Sequence, residues 1–411
     1  MLSALAGWVD PRTGIVSRMA MDLPGDDRGP LPIVMTAAPP FVVAEHGALR
    51  QLPVGWGKGL TLSGAILSAV GESIERYSAS LPDPARLIWS QPRDLDGEFL
   101  DPRTFALYSD EQYSRPEFPY VRFDPEVRHP WIQGQWLDGG GLVWVPAVFA
   151  YLALTIRREH QICQGTSNGL AAGASLEDAA LRATLELVER DAFMSAWLTG
   201  HPGRRLELTG VDDQLRQVVA SIEALGARVE LYTLDTSACG VTVLALAFGD
   251  GERYPGVTIG LGADLDAAGA LRGAILELGQ TGPHLRRLMR SGAVPVPQTP
   301  AAVQDMLHHA AYYFPAAHAG AFDRLRSAAP LPPHVESSLP NCAAALTGAG
   351  VRVALVDVTS ADVATGPFRV VRAVSPDLQG ISYGHGFDRA VVKRVRGLGL
   401  AHDIPQIHPI W

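Results

Sequence analysis

Residues 183–193 read ATLELVERDAF, a run with the apolar weight of a buried helix that nonetheless carries Glu186, Glu189 and Arg190. Taking an unpaired charge out of water is expensive, so charges in such a helix are paired, exposed or bound to something. Two other stretches share the plan. AILSAVGESIERY spans 65–77, AALRATLELVERD spans 179–191 and ALRGAILELGQTG spans 270–282. In each, an alanine is followed four residues on by another, three later by Glu, and three later again by an acid or amide. The matched pairs are Glu72 and Glu75, Glu186 and Glu189, Glu277 and Gln280, and Arg76 and Arg190 follow the first two. A glycine-containing turn precedes each copy: GKGLTLSG, SNGLAAGASLED and GLGADLDAAG.

A spacing of three sets two carboxylates on one helical face, about a turn apart. The alanines extend that side and let a helix or a backbone approach closely. Like charges on a shared face repel, and more so when desolvated, so a fold that builds this pair repeatedly supplies a counter-charge. Mg²⁺ takes carboxylate oxygens and keeps phosphate company. Arg76, Arg190 and Lys58 suit phosphate oxygens. Solvated helix faces would explain one such helix but explain three matched copies poorly; a duplication kept for packing is the surviving plain alternative.

The rest of the chain sets bounds. Its 411 residues suit one large domain or two ordinary ones, and 47% hydrophobic residues are enough for a sizeable core. The net charge is −9 with no block of Lys or Arg, which argues against nucleic acid or an anionic membrane as main partner. Cys163, Cys239 and Cys342 form no CxxC pair, which fits a reduced, cytoplasmic setting. His160 and Cys163 have HxxC spacing, but no second ligand pair follows, and a buried thiol is the better reading. The start of the chain lacks signal-peptide character. GGGLVWVPAVFAYLALTI, 139–156, is too interrupted for a membrane span and reads as turn, strand and the start of a core helix.

Residues 81–125, rich in Pro, Asp and aromatics, read as a long packed connection. SGAVPVPQTP and AAPLPPHVESSLP read as loops, and residues 305–325 as helical pieces broken at Pro315. Residues 228–248 and 352–376 each read as strand, polar turn, strand. Helices and strands are mixed, which indicates an α/β or α+β architecture. Nucleotide motifs do not explain the repeats: in GWGKGLT, Gly59 stands where a P-loop needs Ser or Thr.

At these residues the chain resembles the YcaO family. Ser68, Glu72, Glu75 and Arg76 look like its SxxxExxER motif, preceded by GKG. SNGLAAGASLEDAALRATLELVERDAF looks like its second signature, and the helix with Glu277 and Gln280 like its third acidic helix. VVRAVSPDLQ is also similar to the family. The resemblance implies one YcaO domain over 1–411, with a mixed α/β fold in which strands pack against the three motif helices. It implies an enzyme that uses ATP and Mg²⁺ to activate a backbone amide of a ribosomally made precursor peptide by O-phosphorylation. Cyclodehydration of Cys, Ser or Thr to thiazoline or oxazoline is the leading outcome. Macroamidine or thioamide formation, and a non-catalytic peptide-presenting scaffold, are the alternatives. Carried over by position, Glu72, Glu75, Glu186, Glu189 and Glu277 would hold Mg²⁺. Lys58, Ser68, Arg76, Ser167, Asn168, Arg190 and Gln280 would line the nucleotide.

Azoline-forming members usually end in a Pro-rich PxPxP tail, whereas this chain ends HDIPQIHPIW. No E1-like or leader-binding segment is read before residue 40. A partner protein is expected to supply one, unless the enzyme finds its peptide alone. Pairing of two copies is left open.

Overall fold

The computed structural model describes residues 5, 7–22, 31–39, 42–45, 48–51, 54–208, 211–235, 239–326 and 339–411. Three strand–helix pairs form its frame. β1 (Gly55–Gly59) leads into α1 (Leu62–Ala79), β2 (Leu170–Gly173) into α2 (Leu176–Thr199), and β3 (Val257–Asp264) into α3 (Ala267–Ser291). Each helix starts on a side-chain cap. Thr61, Ser175 and Asp266 accept from the backbone N–H of Gly64, Asp178 and Gly269, which satisfies a donor that the first turn leaves unpaired.

The repeated alanines are explained by how each strand lies on its helix. A Cβ on Gly57 would sit 2.0 Å from the backbone nitrogen of Ala69, and one on Gly262 would sit 2.3 Å from the carbonyl oxygen of Ala270. Strand backbone therefore touches helix backbone, and Ala65, Ala69, Ala270 and Ala274 are fully buried beneath it. Only Gly on the strand and Ala on the helix fit so close an approach.

Each lead strand belongs to its own antiparallel sheet. β1 pairs with Ile33–Ala38, which pairs with Arg18–Asp22. β3 ends a four-stranded sheet with Val241–Phe248, Arg228–Leu234 and Arg204–Leu206. β2 ends a six-stranded sheet, pairing with Arg369–Val374, followed by Ala354–Asp357, His129–Trp136 and Leu87–Ser90. Leu142–Pro146 joins that sheet through His129–Trp136. The architecture is mixed α+β. The paired strands expected in both units are present: Leu231 faces Ala245 in one pair and Leu355 faces Ala373 in the other. Residues 305–325 form helical pieces, Met306–Ala311 and Ala316–Leu325, parted at Pro315.

Two readings change. Residues 81–125 are not all connection: Leu87–Ser90 is an edge strand and Asp110–Ser114 a short helix. LIWS is four residues long with no alternating burial, so it gives no strand period to read. The helix after Pro146 lasts one turn, Ala147–Ala150. Leu152 N–H then donates to the carbonyl of Ala79 at 2.8 Å, so a tie to the end of α1 draws the chain out of helix. The loop AAPLPPHVESSLP lies outside the described residues but for its last two. Among the described residues no helix is long and apolar enough to cross a membrane.

Candidate active site

The acidic faces of the three motif helices turn toward one another, and β1 runs between α1 and α3. Trp56 ties the two through its backbone. Its N–H donates to Glu72 Oε2 at 3.1 Å, and its carbonyl accepts from Gln280 Nε2 at 2.7 Å. Two residues on, Lys58 Nζ reaches Glu277 Oε2 at 2.8 Å, and Leu261 N–H donates to Glu277 Oε1 at 3.4 Å. The short strand thus carries one backbone clamp and one cation into the ring of acids.

Arg76 spans its own pair, 3.3 Å from Glu72 and 3.3 Å from Glu75. Arg190 does the same more loosely, 3.6 Å from Glu189 and 4.0 Å from Glu186. Arg372, on the strand beside β2, faces Glu75 and Glu186 and donates to the carbonyl of Thr166 at 2.7 Å. Burial dominates the ionisation of the acids. It pushes the carboxyls of Glu75 and Glu186 up against the pull of Arg76 and Arg190. Glu189 is pushed up to about 7, with Arg190 opposing and Glu277 and Glu186 adding to the rise. Glu277 is buried too, yet Lys58 and Arg190 hold it below the usual carboxylate range. Burial also lowers Arg372 to about 10.

These side chains suit Mg²⁺ and a nucleotide in kind. Carboxylates within 4.0 Å of cations, on three separate helices, are hard donors for the metal. The arginines between them present planar forks for phosphate. Orphaned atoms mark room for a group from outside the chain: Arg190 Nε, Arg372 Nε and Asn168 Oδ1 are buried without a partner. Asn168 and Arg372 line a cavity of about 80 Å³. The acids are spread along the helix faces with arginines between them; among the described residues, no three His, Cys, Asp or Glu side chains gather around one point as a metal site.

The remaining residues carried over from the sequence are placed as follows. Ser68 is exposed, one turn before Glu72 on α1. Ser167 is half-buried and accepts a backbone bond from Leu170. Cys163 is a buried thiol beside Arg389, pushed up by burial. His160 packs edge-on against Trp89 and His129.

Against known proteins, the YcaO pattern, described as YcaO cyclodehydratase, ATP- and Mg²⁺-binding, matches residues 56–379. The chain belongs to the YcaO family. An uncharacterized protein of Methanothermobacter thermautotrophicus is 29% identical over 258 residues, 62% of each chain. The YcaO of Methanopyrus kandleri bound with AMPPCP and Mg²⁺ superposes with a TM-score of 0.65 at 20% identity, covering 95% of this chain and 91% of that one. A heterocyclase in complex with substrate and cofactor gives 0.71 at 20% identity, covering 98% of this chain and 57% of the other. The E. coli microcin synthetase McbBCD complex with pro-MccB17 gives 0.65 at 15% identity, over 90% of each. At these identities the structural likeness shows the fold. The chain spans 62% of the relative from Methanothermobacter and 57% of the heterocyclase.

Three residues of this YcaO chain reach the site from outside the three motifs. Arg372 had one signal, a charge inside the apolar run RVVRAV. Tyr383 and His408 had none. Tyr383 faces Arg190, Arg76, Glu186 and Glu277, with its phenol pushed up by burial. His408 is buried and faces Arg190 from segment 404–411.

Proposed function

We propose that this YcaO protein activates a backbone amide of a ribosomally made peptide by ATP- and Mg²⁺-dependent O-phosphorylation, and that cyclodehydration of Cys, Ser or Thr to an azoline follows. The observation that carries the reading is the meeting of three acidic helix faces with Lys58, Arg76, Arg190 and Arg372 between them. ATP with Mg²⁺ would supply the phosphoryl group. Glu72, Glu75, Glu186, Glu189 and Glu277 would hold the metal, and Lys58, Ser68, Arg76, Ser167, Asn168, Arg190 and Gln280 would line the nucleotide. Arg76 and Arg190 are placed to offset negative charge that builds on phosphate oxygens. Such transfer depends mostly on positioning, so the enzyme needs no nucleophile of its own. The peptide supplies the thiol or hydroxyl, and the product is lighter by one water.

A second reading keeps the same site and changes the attacking group, giving a macroamidine or thioamide. We take 1–411 as one YcaO domain, acting alone or with a separate leader-binding partner. Calorimetry of Mg²⁺ and ATP with wild type and a Glu186→Gln, Glu189→Gln double variant tests the site. Binding lost in the variant supports the reading, and binding unchanged in the variant refutes it. Product mass then separates loss of water from exchange of oxygen for sulfur.

A further inference from the structure

A second cavity, of about 320 Å³, lies between the end of α2, segment 379–389 and segment 404–411. Met194, Trp197 and Leu198 from α2 and Ile404 and Pro405 opposite make much of its wall apolar. Two polar groups in that wall are incomplete. His408 is 5% exposed, and its Nε2–H donates to the carbonyl of Ser382 at 2.8 Å. That bond fixes the tautomer and leaves Nδ1 a bare acceptor, buried and without a partner. Arg389 Nε is a buried donor, also without a partner. Its guanidinium bonds the carbonyl of Gln164 at 3.3 Å and the Cys163 thiol, and lies 5.4 Å from the Tyr108 ring centroid. Among the described residues it has no ion pair.

Buried polar groups are almost always bonded, so an orphan acceptor and an orphan donor on one cavity call for an occupant with both. A peptide unit is the simplest such occupant, with one N–H and one carbonyl. The apolar wall suits a side chain attached to it. The volume stands at the low end of the ~300–1,000 Å³ typical of ligand pockets, which suits a single residue. The location also fits. His408 faces Arg190, and the Tyr383 ring, 5.9 Å from His408, faces both motif arginines. A residue in the cavity would lie one layer of side chains from the acid ring.

We infer that this cavity seats one apolar residue of the peptide substrate, its N–H donating to His408 Nδ1 and its carbonyl accepting from Arg389 Nε. The inference rests on the peptide-modifying function proposed above and names where that peptide is gripped. Two probes test it: N-acetyl-leucine methylamide and N-acetylglycine methylamide, titrated by ligand-observed NMR. Each is measured with and without Mg²⁺ and a non-hydrolysable ATP analogue. The leucine probe is expected to bind at least tenfold more tightly than the glycine probe. Leu198→Trp, which fills the cavity, is expected to weaken the leucine probe at least tenfold and leave nucleotide affinity within twofold. Leu198→Ala keeps the cavity open and retains the probe. His408→Phe, which keeps a ring and removes the acceptor, weakens the probe at least fivefold and serves if Leu198→Trp does not fold. Equal binding of the two probes, no binding to wild type, or binding that survives both Leu198→Trp and His408→Phe overturns the inference. Failure of the nucleotide to bind would instead sink the ATP reading, and the nucleotide-free titration would still judge the cavity.

Discussion

Glu189 and Arg190 show how single residues hold this site in tension. Glu189 is buried on α2, its carboxyl pushed up to about 7 by desolvation, while Arg190 stands 3.6 Å off and spends no hydrogen bond from Nε. A buried acid with a raised pKa destabilises the folded state most where it is ionised, which means above pH 7, and the cost fades as pH falls through 7 toward 4.5. Glu189→Gln should therefore raise the thermal midpoint of the protein free of nucleotide, by more at pH 8 than at pH 6. The same variant should lose Mg²⁺–nucleotide binding in calorimetry. A midpoint gain that does not depend on pH would show that the acid is not strained by burial. Arg190→Lys keeps the charge but loses the planar fork, and Lys is no substitute where two oxygens are gripped at once. It should weaken nucleotide binding about tenfold, equivalent to roughly 1.4 kcal/mol, with little change in the thermal midpoint. Equal affinity in calorimetry would remove Arg190 from the nucleotide site.

At the scale of elements, the strand–helix pair is the unit that repeats, and its glycines divide by what surrounds them. A Cβ at Gly57 would strike the backbone of α1 on both sides, 2.0 Å from Ala69 N and 2.5 Å from Ala65 O. Backbone cannot swing aside as a side chain can, so Gly57→Ala should cost ~3 kcal/mol or more, at the top of the range for overpacking. It should also impair nucleotide binding, because Gly57 adjoins Trp56, the clamp between Glu72 and Gln280. Gly71 is the contrast. It lies within α1, and a Cβ there meets nothing within 4 Å. Gly71→Ala should stabilise by about 0.5–1 kcal/mol through helix propensity. Urea unfolding of the two variants checks both signs. This unit was legible in the sequence because all of it is local: a glycine turn, a cap, alanines four apart and acids three apart fall within about twenty residues. The strand Leu87–Ser90 was not legible, since four residues without alternation carry no period. Arg372 and Tyr383 join the site from nearly two hundred residues beyond α2. No local spacing encodes such a meeting; only the pairing of β2 with Arg369–Val374 brings Arg372 in.

For the whole molecule, the segment 404–411 acts as a tie between the two halves of the site. Trp411 packs on Trp56 at 5.6 Å and stacks with His284 at 5.9 Å, so it braces the strand that carries the backbone clamp. Further back, His309 Nδ1–H donates to the carbonyl of His408 at 2.8 Å, and His309 Nε2 accepts from Gly384 N–H at 3.0 Å. One buried imidazole thereby links the segment, the loop that carries Tyr383 and the helix Met306–Ala311. The arrangement works only with neutral rings. Burial holds His309 down to about 4 and His408 to about 3, against an ordinary value of 6.5. An unfolded histidine takes up a proton as pH falls below 6.5, while the folded one refuses it until far lower. Stability is therefore lost as pH drops from 6.5 toward 4, and His309 alone accounts for roughly 2 kcal/mol of loss at pH 5. Glu189 pulls the other way over part of the same window, since its cost is relieved on acidification. The decisive quantity is accordingly a difference between proteins. His309→Gln keeps an amide that can bond to both neighbours but cannot titrate. Between pH 7.5 and pH 5, wild type should lose about 2 kcal/mol more than His309→Gln in urea unfolding. Equal losses would mean that His309 takes up its proton in the folded state and that the tie does not depend on a neutral ring.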